Sequence, residues 1–431
     1  MNTGALVRVP RVEERRQTQR LMWERADVVL AHLLPHGLPE GTPTAFTQVG
    51  HIAHLNLRDE YLPYRFIIGQ ALLDKNPQLR TAVNKLDSID AQFRFFDMEL
   101  VAGDEDYVTT ASESDCSFTF DFRQVYWNSR LHAEHQRLVQ SFAPYDVLSD
   151  VMAGVGPFAL PAAKKGLWVL ANDLNPASYE SLVGNMKANK VEPRIRASCE
   201  DGRAFIRSSI LRAWEEAFEG PPLRPEEDDA VKSATQLAKE KRAQRSSRPA
   251  ASSSQAQAPA KTKRATIERL PPRRLVDHFV MNLPASALEF LDAYRGAYLP
   301  LRDAVGAEVL EAELDAREKE GKARWPMVHV HCFTKDLAGA HEDVCHRANA
   351  VLGLRGPSRL VPPPSAPDAS PRAAHSLTVL SPDSARFTAE SFDGLPPMPE
   401  LSLTCVRAVA PTKDMYCLSF RLTREILFDG Q

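Results

Sequence analysis

The sequence predicts an α/β protein, a mostly parallel, doubly wound sheet preceded by a small α+β unit. Three observations point there. Beyond residue 126, strand-like runs alternate with helix-like ones, as repeated βα units require. Between 46 and 125, apolar–polar alternation flanks one helix-like stretch. Two Pro- and Ser-rich stretches interrupt the rhythm without extending it.

The elements follow in order. The opening "MNTGALVRVPRVEERRQTQR" is Arg-rich like a transit peptide, but Glu13 and Glu14 interrupt it, and transit peptides avoid acids. Residues 1–45 read as an N-terminal helical remnant running into a loop. In the small domain, 46–125, "AFTQVGHIAHLNL" and "CSFTFDFRQVYW" alternate as strands, the second with Phe118, Phe120 and Phe122 on one face. "YRFIIGQALLDKNPQL" reads as a helix ended by Asn76-Pro77.

The large domain, 126–431, starts with the helix "SRLHAEHQRLVQSFA", capped by Asn128 or Ser129. Strands at "DVLSDVMAGVG", "LWVLANDLNP", "IRASCEDG", "DHFVMNLP" and "WPMVHVHCF" alternate with helices, and a strand pair at "LTCVRAVAP" and "MYCLSFRLT" closes the pattern. Residues 219–274 and 355–374 have compositions that cannot bury a core and read as disordered inserts.

Totals narrow the function. Among 431 residues, 43% are hydrophobic and the net charge is -3. A nucleic-acid partner would therefore have to be held by local basic patches. Six cysteines, at 116, 199, 332, 345, 405 and 417, form no C-x-x-C pair, so neither a zinc ribbon nor a disulfide framework is indicated. No apolar run reaches the length of a membrane span.

Gly154 and Gly156 sit between a strand and a helix, where glycine lets backbone approach a ligand. Pro157 follows, and Leu160 stands near the place of a third glycine. A dinucleotide fingerprint leaves the helix N-terminus open to pyrophosphate. This pattern favours a ligand without one, S-adenosylmethionine over a nicotinamide. Asp173 ends the second strand, where a carboxylate can accept both ribose hydroxyls. Asp201 ends the third, near the adenine edge, and Asn282 the fourth. Singly, each has a plain alternative: a tight turn, a helix cap, a turn former. Together they mark consecutive strand ends, where open α/β sheets bind ligands.

Longer words carry a resemblance. "VGHIAHLNLRDEYLPYRFIIGQALLDKNP", "VYWNSRLHAEHQRLV", "DVMAGVGPFALPAAKKG", "ANDLNPASYESL" and "VMNLPASALEFLD" resemble the eukaryotic and archaeal tRNA (guanine-37-N1)-methyltransferase family. The match covers roughly residues 45–220 and 275–425. It implies a Rossmann-type class I methyltransferase domain behind a small α+β domain, and methyl transfer from S-adenosyl-L-methionine to N1 of guanosine 37 in the tRNA anticodon loop. It implies donor contacts at His135, Asp173, Leu174, Asp201, Gly202 and Asn282, and catalytic roles for Arg130 and Asn282. Family members carry a further N-terminal domain that reads tRNA shape; about 45 residues precede the small domain here, so that domain is expected to be shortened or missing. A monomer in the cytoplasm is expected, with the mitochondrial matrix and nucleus added by the resemblance.

Guanine N1 must lose a proton to become nucleophilic, and negative charge then develops on O6. Arg130 suits that oxygen; its plain alternative is an intrahelical pair with Glu134. Glu134 and Asp150 are both candidates for the base, and spacing does not choose between them. Tyr126 and Trp127 offer base stacking, with core packing favoured. Arg58, Arg65, Lys75 and Lys85 are candidate phosphate contacts, solvated surface being the alternative for each. His329, His331, Cys332, His341, Cys345 and His346 cluster in sequence but match no zinc spacing. Two other readings remain open here, an aminocarboxypropyl transferase using the same donor and a non-catalytic RNA-binding protein. Asn282-Leu283-Pro284 favours methyl transfer over the first.

Overall fold

The computed structural model describes residues 25–35, 38, 43–89, 96–222, 269–355, 359–361 and 400–429. In chain order these form α1 (Ala26–Leu33), β1 (Thr47–Val49), β2 (Ile52–Leu55), α2 (Arg65–Lys75), β3 (Thr81–Ile89), β4 (Phe96–Gly103), β5 (Val108–Glu113) and β6 (Cys116–Asp121). Then come α3 (His132–Ser141), β7 (Val147–Asp150), α4 (Ala159–Lys165), β8 (Trp168–Asn172), α5 (Pro176–Ala188), β9 (Ile195–Ser198) and α6 (Gly202–Glu215). The remainder is β10 (His278–Met281), α7 (Leu299–Val305), α8 (Ala307–Lys319), β11 (Met327–Thr334), α9 (Ala340–Leu352), β12 (Leu401–Ala410), β13 (Lys413–Arg421) and α10 (Arg424–Phe428). No helix among the described residues is long and apolar enough to cross a membrane.

The small domain is a sheet in the order β1-β2-β3-β4, with α2 crossing between the parallel strands β2 and β3. The run expected as one strand from Ala45 is instead a tight hairpin. It turns at Gly50, whose φ of +57° places it in the left-handed region. Leu30, Leu55, Ile68 and Leu72 fill the core beneath. The β5–β6 hairpin is a separate two-stranded sheet, tied to the small domain where the Thr109 hydroxyl donates to the Val49 carbonyl at 3.0 Å. Its Phe118, Phe120 and Phe122 face is buried with Phe158, Leu160 and Leu182 of the large domain.

The large sheet has the order β12-β13-β11-β10-β7-β8-β9. The strands β11, β10, β7, β8 and β9 run parallel, and β13 lies antiparallel between β11 and β12. Sequence order reverses beside β7, which creates a switch point at the carboxyl ends of β7 and β10. Both faces are covered. Val147, Leu170, Phe279 and Val330 point into one core and Leu148, Val169 and Val280 into the other. This is why the central strands read as near-continuous apolar runs. The segment after β10, expected as an ordinary helix, is a 3-10 turn over Ala287–Tyr294.

The inserts need narrower limits than composition indicated. Phe218 pairs with Arg273 and Pro222 with Arg269, antiparallel, so 219–222 and 269–274 belong to the folded body. Leu360 is pinned by both its backbone N–H and its carbonyl to the Asn349 side chain. Backbone pairing with a distant partner overrides Pro-rich composition at these edges. The rest of both inserts, 223–268, 356–358 and 362–374, lies outside the described residues, as do residues 1–24.

A buried ionic network braces the amino end of the sheet. Asp277 accepts from the Val147 N–H at 2.7 Å, Arg317 at 2.7 Å and Lys322 at 3.1 Å. Lys322 also reaches Asp146 at 2.8 Å, and His278 meets the same carboxylate at 3.3 Å. Burial alone would raise the Asp146 pKa, but His278 and Lys322 outweigh it and hold the carboxyl well below its usual range. Arg317 and Asp277 are nearly inaccessible, and removing one partner of such a pair strands the other charge. Arg317→Met should therefore lower unfolding free energy by about 3 kcal/mol, the low end of that range because Lys322 remains. Urea unfolding checks it; an unchanged midpoint would show that the pair contributes nothing.

Candidate functional site

The carboxyl ends of β7, β8 and β9 converge because one side chain ties them. Asn172, the last residue of β8 and almost wholly buried, donates its amide to the Val151 carbonyl at 3.1 Å and the Glu200 carbonyl at 2.9 Å. Its Oδ1 accepts from the Glu200 N–H at 2.9 Å, and its own carbonyl accepts from the Ala153 N–H at 2.7 Å. The next residue, Asp173, accepts from the Gly154 N–H at 2.7 Å on Oδ2 and from the Asn175 N–H at 2.9 Å on Oδ1. Burial holds its carboxyl pKa above the usual range, and these two N–H groups oppose the shift only in part.

Gly154 and Gly156 both have left-handed backbone, with φ of +54° and +102°. They differ in surroundings. A Cβ at Gly156 would collide with Leu160 and Leu182, whereas one at Gly154 would meet nothing within 4 Å. Gly156 therefore serves packing, and Gly154 faces open space beside the Asp173 carboxylate. Leu174 is exposed at the same rim. Asp201 caps α6, accepting from the Arg203 and Ala204 N–H groups at 2.9 and 3.3 Å. A Cβ on Gly202 would lie 3.0 Å from Phe290 and 3.3 Å from Met152, which wall the third strand end with apolar surface.

At the end of β10, the Asn282 Oδ1 is buried and has no hydrogen-bond partner among the described residues. Buried acceptors are rarely left so, and each orphan calls for an explanation. A ligand donor is one. Beneath the glycine loop lies Asp150, fully buried, with no donor in hydrogen-bond geometry at either oxygen. Burial, and then the neighbouring Asp173 charge, push its pKa up to about 8, against weaker opposing pulls from His331 and the Ala159 N–H.

On the other face, Asn128 caps the turn Ser129–Leu131 by accepting from the Arg130 N–H at 3.1 Å. Arg130 is exposed, and among the described residues its side chain makes no ion pair. The alternative pairing with Glu134 is not formed. Both Glu134 oxygens accept from Arg137 at 2.7 Å, and Oε1 also meets His331 Nε2 at 2.8 Å. Burial opposes ionisation of Glu134, but Arg137 and His331 outweigh it and hold the pKa at about 2. Burial likewise opposes the His331 charge, yet Cys417 and Glu134 raise it to about 10. Neither Glu134 nor Asp150 is presented to a substrate as a base, since one is saturated and both are buried.

His135 lies inside, its Nδ1 2.6 Å from Glu113 and its Nε2 buried without a partner among the described residues. Trp127 packs on Phe118 and Phe120, while Tyr126 is 43% exposed and available. In the small domain Arg65 is engaged by Glu99 at 2.8 Å, and Arg58 is exposed. The histidine–cysteine words do not assemble into one site. His329 and His331 share a face, but Cys332 and Cys345 lie in the opposite core. One atom each of Glu134, His331 and Cys417 do come within 4.8 Å of one another. The Arg137 guanidinium already occupies both oxygens of that carboxylate. Sequence reasoning missed Asn172, Met152 and Phe290; only the place of Asn172 beside Asp173 in "ANDLNP" hinted at a role.

A raised carboxyl pKa has a definite stability signature. Asp150 favours the folded state relative to the unfolded chain only where it is protonated, so its contribution is complete below about pH 4 and is lost as pH rises through about 8. Asp150→Asn should therefore be more stable than the parent at pH 8, by on the order of a few kcal/mol, with the gain vanishing near pH 4. Denaturant titrations at both pH values decide it, and a pH-independent difference would rule the burial account out.

Comparisons with known proteins bear on the fold and the family. Residues 109–212 match the TRM5/TYW2 methyltransferase domain and residues 27–106 the TYW2 N-terminal domain. The first of these matches takes in most of the β5–β6 hairpin. A tRNA (guanine(37)-N(1))-methyltransferase of Mycosarcoma maydis is 44% identical over 94% of this chain and 74% of its own length. The protein of that name from Schizosaccharomyces pombe is 42% identical with the same coverage. Among solved structures, Trm5b of Pyrococcus abyssi superposes with a TM-score of 0.51 at 18% identity, covering 90% of this chain and 78% of that one. The structure of aTrm5 with tRNALeu also gives 0.51, at 17% identity over 93% and 78%. These likenesses share the fold, and the sequence identities decide the family: the chain belongs to the tRNA (guanine(37)-N(1))-methyltransferases.

Proposed function

We propose that this chain transfers the methyl group of S-adenosyl-L-methionine to N1 of guanosine 37, beside the tRNA anticodon. The observation that carries the reading is the partnerless Asn282 Oδ1 at the switch point, opposite an open glycine loop and a ribose-type carboxylate. The donor set fits the group. Asp173 holds hydroxyls, Gly154 leaves room, and Met152 with Phe290 offers an apolar wall for a purine. Asn282 presents an acceptor for an amino group. The glycine loop suits a ligand without pyrophosphate, since buried Leu160 stands near the place of the third glycine of a dinucleotide fingerprint.

Bound S-adenosyl-L-methionine supplies an electrophilic methyl on sulfur. The chain's own work is to present the guanine and stabilise its charge. An anticodon loop is single-stranded, so drawing out one base is cheaper than in a duplex. Tyr126 provides an exposed ring for it. Arg130, free of carboxylates, meets the negative charge that develops on O6 as N1 loses its proton. Glu134 does not take that proton; it is ionised, but Arg137 and His331 occupy its oxygens. Six free cysteines suit the reducing cytoplasm, where we place the protein as a monomer.

The test is methyl transfer to tRNA bearing guanosine or another base at position 37, followed by nucleoside analysis. The proposal expects 1-methylguanosine, made only with guanosine. A product carrying an aminocarboxypropyl group would instead identify the neighbouring transferase. Arg130→Ala should slow single-turnover transfer by about 10²–10³-fold with donor affinity unchanged; an undiminished chemical step would remove Arg130 from catalysis. Asn282→Ala should weaken donor binding by about tenfold in calorimetry, and unchanged affinity would return Asn282 to an ordinary turn.

A further inference from the structure

The edge of the large sheet carries an unexpected placement. From Leu401 to Cys405, β12 pairs regularly with β13, Cys405 lying opposite Tyr416. The register then shifts by one residue, so that Arg407 lies opposite Met415. Without the extra residue, Arg407 would oppose Asp414 and point to the other face, because side chains alternate along a strand. Bulges of this kind re-aim side chains beside functional sites.

The face it reaches is that of Arg130. Cross-strand neighbours share a face, so Arg407, Met415 and Phe333 align across β12, β13 and β11. Cys417 and His331 lie one step along the same face, and His331 meets Glu134 of α3. Arg130 stands at the entrance to that helix. At the other end of the row, the Phe333 N–H bonds the Pro284 carbonyl in the loop after Asn282. Lys413 joins the same face, its ammonium 4.0 Å above the Phe333 ring.

This side is cationic without compensation. Among the described residues, Arg130, Arg407 and Lys413 make no ion pair. Asp414, the hairpin's own carboxylate, sits on the opposite face with Cys405 and Tyr416. Burial first, and the Arg130 charge second, hold the Arg407 guanidinium below its usual range. A guanidinium does not escape such repulsion by losing its proton; an anion relieves it. A planar fork on the face that Arg130 also charges suits a phosphate, which accepts bidentate hydrogen bonds.

We propose that Arg407, turned by the β12 bulge onto the face of Arg130, binds a phosphodiester of the RNA substrate and so adds to the affinity for tRNA, while Arg130 stays with the reacting base. This rests on the tRNA reading above, and binding is measured apart from transfer so that the two can fail separately. The experiment compares Arg407→Ala and Arg407→Lys with the parent, by tRNA filter binding across a salt series, by KM and kcat for tRNA, and by donor calorimetry.

The expected result for Arg407→Ala is an approximately tenfold rise in tRNA Kd and KM, with kcat and donor Kd within twofold of the parent. The slope of log Kd against log salt should become shallower by about 0.7, one single-strand phosphate contact. Arg407→Lys should recover most of the affinity. Unchanged tRNA affinity and salt slope would overturn the proposal. So would an equal loss of donor affinity, or no rescue by lysine in a folded variant, since either marks a structural role. If the parent binds tRNA with the Arg407-dependent slope yet methylates nothing, the phosphate site stands and the transfer reading falls.

Discussion

The site depends on the side chain of Asn172. The carboxyl ends of three parallel strands have no reason to stay together once their ladder stops, because the loops beyond them diverge toward different helices. Asn172 supplies the missing bonds. Its amide spans from the Val151 carbonyl on one side to the Glu200 backbone on the other. The Gly154 N–H is then within reach of Asp173, and the glycine loop, the ribose-type carboxylate and the Asp201 cap keep fixed relations. An apolar residue of similar size would fill the space but leave three backbone groups unpaired in a buried place, each costing about 1–3 kcal/mol.

A second constraint works on the opposite face. The polar seam of His329, His331, Cys417 and Ser419 lies beneath α3, and His329 meets Ser419 at 2.8 Å. Glu134 is drawn inward to His331 and Arg137, so the carboxylate nearest Arg130 in sequence is consumed. That inward pull leaves Arg130 cationic and exposed at the rim. The energetic cost of burying His331 and Glu134 as an ion pair is met within the seam, while its consequence is chemical and lies outside it. One face of the sheet end thus shapes a donor site and the other presents positive charge toward an RNA.

Much of this was legible. The strand ends at Gly154, Asp173, Asp201 and Asn282 are local features, written in a few neighbouring residues, and they occupy the expected ends of β7 to β10. The shared face of His329 and His331 follows from period-two alternation. What escaped depends on partners far along the chain. Asn172 looked like spacer because its function is to join residues 151 and 200. The Gly50 hairpin was hidden in a run whose alternation survives the turn. Glu134 faced Arg130 by helical spacing but turned to a histidine 197 positions away. The insert edges at Phe218 and Arg273 pair only through each other. Arg407 could not be assigned a face before the bulge in its strand was known.

The central claim is that the donor loops are held by Asn172 before any donor arrives, and amide hydrogen exchange of the donor-free protein tests it most directly. The N–H groups of Ala153, Gly154 and Glu200 should be protected in the parent, and should lose protection in Asn172→Ala while β2 and β3 of the small domain stay unchanged. Free exchange of those three amides in the donor-free parent would contradict the account, since the loops would then be ordered by the ligand and not by the asparagine.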